Sequence, residues 1–94
     1  GIGTRKDEVL ARQYFEKAAS RGDNRASFNL AMMEEKKKNY MGAYQWYELS
    51  TRDGMLDNKV ITLSEGRKTA LAANLTQEQI RQARDRADRW IQAQ

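Results

Sequence analysis

Cysteine, histidine and proline are all absent from the 94 residues. Without cysteine there is no disulfide and no thiolate zinc site. Without histidine the chain has neither the commonest metal ligand nor the commonest general base, and no serine or threonine has an imidazole to activate it. Without proline nothing breaks a helix from within. Hydrophobic residues make up 39% of the chain and aromatic residues 9%, which supports only a thin core, and no apolar run reaches membrane-spanning length. The opening GIGTRKDE contains no hydrophobic segment of the signal-peptide kind. Charge of one sign is not in large excess: 17 basic against 13 acidic residues leave a net +4, which suits ordinary solubility as well as it suits an acidic partner.

What is abundant is alanine, glutamine, glutamate, arginine and lysine, all good helix formers. The chain also nearly repeats itself. LARQYFEKAASRG at 10–22 aligns with GAYQWYELSTRDG at 42–54, matching Ala11 to Ala43, Gln13 to Gln45, Glu16 to Glu48 and Gly22 to Gly54, 32 residues apart. That offset is close to one helix–turn–helix unit, which buries its apolar face only by stacking on neighbours.

Five helices follow from the pattern. The first spans about Asp7 to Arg21, opened by Asp7 as N-cap and stopped by Gly22. Asp23 or Asn24 caps the second, with Ala26, Leu30, Ala31 and Met33 as its stripe and Lys36, Lys37 and Lys38 at its end. Asn39 is the turn. The third runs from about Tyr40 to Asp53, packs through Ala43, Trp46, Tyr47 and Ser50, and stops at Gly54. Asp57 or Asn58 opens a fourth helix carrying Val60, Leu63 and Leu71. After a break at Asn74 and Leu75, Thr76 and Gln79 have capping-box spacing before a last helix with Ile80, Ala83, Ala87, Trp90 and Ile91.

GIGTRKDEVLARQYFEKAASRGDNRASFNLAMM resembles the Sel-one-like repeat (SLR) family, a relative of the tetratricopeptide repeat. The matching features are Gly1 and Gly3, Asp7, Ala11, the pair Tyr14 and Phe15, Ala18 and Ala19, Gly22, and then Ala26, Leu30 and Ala31. The resemblance implies an all-α fold of antiparallel helix pairs stacked as an α/α solenoid. It implies a non-catalytic scaffold or adaptor that holds a partner protein or peptide on a concave face lined by the second and fourth helices. Members of the family are mostly bacterial, many of them exported. Two departures stand out: EEKKKN replaces the usual glycine turn, and Ser50-Thr51 replaces a double alanine. Both mark a degenerate repeat near the end of an array. Residues 1–22 then read as the second half of a repeat, 23–54 as the degenerate repeat and 55–94 as C-terminal capping helices.

On the inner face of the second helix, helical spacing brings together Arg25, Phe28, Asn29 and Met32, with Glu35 and Lys36 further along. Arg25 and Asn29 could grip a carboxylate or a peptide backbone. The competing reading packs Phe28 and Met32 on a neighbouring helix and leaves Arg25 solvated. Tyr14, Phe15, Trp46 and Tyr47 occupy matching repeat positions, which makes all four packing residues. Intrahelical pairs Arg81–Asp85, Asp85–Arg89 and Arg84–Asp88 neutralise much of the basic last helix. That disfavours the alternative reading, a module for nucleic acid or another polyanion. A purely structural cap is a further alternative. No cofactor or metal is expected, and an uncovered face on the first helix would seek a partner such as a second copy of the chain.

Overall fold

The computed structural model describes residues 5–52 and 58–93, with five α-helices: α1 (Arg5–Ser20), α2 (Asn24–Lys36), α3 (Tyr40–Arg52), α4 (Asn58–Ala72) and α5 (Gln77–Gln92). No strand occurs among the described residues, and the all-α architecture expected from the sequence is the one observed. The first helix starts two residues before Asp7. That residue therefore sits with Glu8 inside the first turn, where carboxylates offset the positive end of the helix dipole. Gly54 and Asp57 lie outside the described residues.

Each turn has a local cause. Gly22 takes φ 88°, the left-handed conformation that costs glycine little. The Asp23 N–H bonds to the Ala18 carbonyl at 3.2 Å and the Gly22 N–H to Ala19 at 3.0 Å, closing α1 in a Schellman motif. Asp23 then caps α2, its carboxylate accepting from the Arg25 N–H at 3.0 Å.

The second turn repeats this geometry without glycine. Lys38 adopts φ 65°, the Asn39 N–H bonds to the Glu34 carbonyl at 2.9 Å, and the Lys38 N–H bonds to Glu35 at 2.9 Å. Asn39 Oδ1 accepts from the Gly42 N–H at 3.3 Å and so starts α3. A Cβ on Gly42 would lie 2.6 Å from the Asn39 amide nitrogen, which itself holds Glu34 at 2.5 Å. Glycine at 42 is what lets this turn close. Thr76 and Gln79 form the expected capping box, with bonds of 2.9 and 3.0 Å.

The core centres on α3. Ala43, Tyr44, Trp46, Tyr47, Leu49 and Ser50 are buried around most of its circumference, and α2, α4 and α5 all pack on it. From α2 come Leu30 and Ala31, and from α5 the fully buried Ala83 and Ala87, whose small size lets two helices approach closely. Trp90 meets Trp46 edge to face at 5.2 Å. Among the described residues α4 and α5 share little contact with each other; each clasps α3 separately.

Ser50 and Thr51 serve a purpose where they replace the double alanine. The Ser50 hydroxyl donates to the Tyr47 carbonyl at 2.7 Å. Its one proton is thereby used, so the 2.6 Å contact with Ser64 on α4 must be donated by Ser64. Both serines are fully buried, and Asn24 Nδ2 donates to the Ser50 carbonyl at 3.3 Å. A hydrogen-bonded polar seam therefore joins α2, α3 and α4. Beside it, Thr51 donates to the Glu48 carbonyl at 2.7 Å.

Two expectations are corrected. Tyr14 is 71% exposed and touches Phe15 rather than the core, while Phe15, Trp46 and Tyr47 do pack. On α5 only Asp85–Arg89 forms as expected, at 3.0 Å. Arg81 pairs with Glu78, while Arg84 and Asp88 reach across to Glu48 and Arg52 of α3. An α3 helix packed alongside offers these side chains better placed partners than their own helix does. No helix of the described chain is long and apolar enough to cross a membrane.

Candidate functional site

α2 and α4 are neighbours, and the register between them is informative. Arg67 of α4 bonds to Glu35 of α2 across 32 residues, the same interval as the sequence repeat. The fourth helix therefore stands in the place that the second helix occupies one repeat earlier. Between them opens a shallow cleft of about 460 Å³, lined by Phe28, Met32, Glu35, Lys36, Tyr47 and Arg67.

The floor is aromatic. Phe28 and Tyr47 meet edge to face with ring centres 5.4 Å apart. Tyr47 is almost completely buried, and that burial pushes its hydroxyl pKa up, so it stays a neutral donor. One wall is Met32, 48% exposed, a flexible thioether of the kind that adapts to varied partners. Leu63, one turn before Arg67 and on the same side of α4 by helical spacing, is 56% exposed.

The upper end is polar. The Tyr47 hydroxyl donates to Glu35 Oε1 at 2.8 Å, Arg67 Nε donates to the same oxygen at 3.3 Å, and the guanidinium pairs with Oε2. Lys36 is exposed on the rim and has no acidic partner among the described residues.

Four of the six residues picked from the sequence, Phe28, Met32, Glu35 and Lys36, thus line one cleft. Arg25 and Asn29 do not. The Arg25 guanidinium turns back to Asp23 at 3.3 Å, and Asn29 Nδ2 donates to the Arg25 carbonyl at 3.0 Å. Sequence reasoning missed Arg67 and assigned Tyr47 to packing alone. The 32-residue offset was the available signal for Arg67, since it sets position 67 beside position 35.

Nothing in the cleft suggests acid–base chemistry. Glu48, a carboxylate held below its ordinary value, lies elsewhere. Burial pushes it up, but the Lys68 ammonium at 3.0 Å and the Arg52 guanidinium at 3.1 Å outweigh this and hold it below its ordinary value. It is a structural hub, joined also by Arg84 at 3.7 Å. Among the described residues no group of three or more metal-ligating side chains comes together. A second cleft of about 580 Å³ lies along the other edge of α2, against α1, lined by Asp7, Glu8, Ala11, Phe15, Met33, Lys36 and Lys37.

Comparison with known proteins agrees with this architecture. The family model for the Sel1 repeat matches residues 1–23 and 24–55. No curated protein and no solved structure shows significant similarity. Sel1 repeats are helical solenoid units that generally mediate protein–protein interaction and are typically non-catalytic. Two matched repeats, five helices and no strand among the described residues, and a register of 32 residues between α2 and α4 lead to one assignment: the chain belongs to the Sel1 repeat family.

Proposed function

We propose that this chain is a protein-interaction module, a scaffold or adaptor, that holds a partner's peptide segment along the α2–α4 face. The observation that carries the reading is the cleft itself: an aromatic floor and an exposed methionine ending in cationic groups from two helices. Lys36 and Arg67 favour a partner segment that is acidic, with an apolar side chain to cover Phe28 and Met32. On this reading residues 1–22 are the second half of a repeat, 23–54 a degenerate repeat and 55–94 capping helices.

The polyanion alternative has less support. Arg81, Arg84 and Arg89 of the last helix each face a carboxylate, which reduces the charge these three can offer to phosphates.

Selection from a random-peptide display library tests the proposal. Recovered peptides should combine aspartate or glutamate with leucine, methionine or phenylalanine. Met32→Glu should abolish their binding, while Gln13→Glu, on an exposed part of α1, should leave it intact. Enrichment of basic peptides, or binding indifferent to Met32→Glu, would contradict the reading. So would tight, steeply salt-dependent binding of an RNA oligonucleotide.

A further inference from the structure

The cleft has an end as well as a floor, and in the free protein that end is filled by the protein's own carboxylate. Tyr47 from α3 and Arg67 from α4 aim their donors at one point, where the Glu35 carboxylate sits with its oxygens on the hydroxyl at 2.8 Å and on the guanidinium. Two donors from different helices converging on one anion describe a carboxylate site, because a planar guanidinium fork and a hydroxyl match a carboxylate's lone pairs. Lys36 adds a further cation on the rim.

The occupant is held by the site but is not locked into it. Arg67 is 46% exposed and the Glu35 side chain 23%, so water reaches the pair, and exposed pairs of this kind are weak. The cleft is open above them and Met32 stands exposed beside it. A competing carboxylate has a path in.

We infer that Tyr47 and Arg67 form the anchor for a partner's carboxylate, and that Glu35 is an internal stand-in which the partner's acidic side chain or chain terminus displaces. This rests on the proposed use of the α2–α4 cleft and adds its specificity element. Glu35 then sets a threshold: a segment with only an apolar side chain gains the aromatic floor, whereas one that also brings an acid gains Arg67 and the Tyr47 hydroxyl. Because displacement exchanges one carboxylate for another, removing the internal charge strengthens acidic ligands selectively and leaves neutral ones unchanged.

The test compares N-acetyl-leucine with N-acetyl-leucinamide, which share the apolar side chain and differ in the carboxylate. Both are titrated by NMR into the full chain, following the Met32 methyl and the Arg67 Nε–H signals. Ligands this small should bind on the order of millimolar. The acid should move both signals, and the amide the Met32 methyl alone. Glu35→Gln, nearly isosteric, should tighten the acid at least threefold without affecting the amide, and Arg67→Gln should remove the acid's advantage. Equal binding of acid and amide in wild type and Glu35→Gln overturns the displacement proposal while leaving the cleft reading intact. Failure of either compound to move the Met32 methyl overturns both.

Discussion

Tyr14 and Trp46 occupy matching places in the two copies of the repeat and meet opposite environments. Trp46 is 6% exposed and packed edge to face against Trp90, whereas Tyr14 is 71% exposed. Large-to-small changes are felt only where packing is lost, so Trp46→Ser should cost about 3–5 kcal/mol and Tyr14→Ser less than about 0.5 kcal/mol. Urea unfolding of the two variants checks the difference. The identical sequence register could not reveal it, because register gives the position on a helix and not what stands opposite.

The Glu48 hub makes a pH prediction at the same scale. Its folded-state pKa is depressed, so its ionised form favours the fold above the ordinary carboxylate value of about 4.3. That contribution is lost as pH falls through the depressed value. Thermal stability should therefore decline below about pH 4. Lys68→Met removes the strongest partner, so it should shorten this acid limb and lower stability at neutral pH. Scanning calorimetry from pH 7 to pH 2 tests both statements.

Among the elements, the turn between α2 and α3 shows best what sequence could and could not reveal. Gly22 announces the first turn openly because a glycine after a helical stripe has one common use. Lys38 performs the same task at φ 65° with no compositional signal at all, since lysine at a helix end reads as a charge complement. A non-glycine residue in this region carries about 1 kcal/mol of strain, so Lys38→Gly should stabilise the chain by about 0.5–1 kcal/mol. A lower urea midpoint for that variant would show that the lysine is not strained. Ser50 and Thr51 teach the same lesson. Read as degeneracy, they prove to be donors and acceptors in a seam whose other half, Ser64, lies 14 residues on in an element with weak patterning of its own. Helix identity and the inner face of α2 were legible from spacing. The direction of Arg25 and Asn29, and the cross-helix partners of Arg84 and Asp88, were not, because polar and charged side chains choose among several partners within reach.

For the whole molecule, the placement of α5 matters most. It packs on α3 instead of pairing with α4, and the chain keeps a radius of gyration of 12.7 Å, that of a compact domain of this length, about 12–13 Å. The α2–α4 face is left uncovered by α5, which is why its apolar strip and cationic end remain available. The methionines report directly on this claim. Met32 lies in the α2–α4 cleft, Met33 in the cleft against α1, and Met41 near the start of α3. With methyl-labelled methionine, titration of an acidic, leucine-containing peptide recovered by display selection gives the decisive spectrum. A shift of the Met32 methyl, with Met33 and Met41 unmoved, is the result this account predicts; movement of Met33 with Met32 unmoved would contradict it.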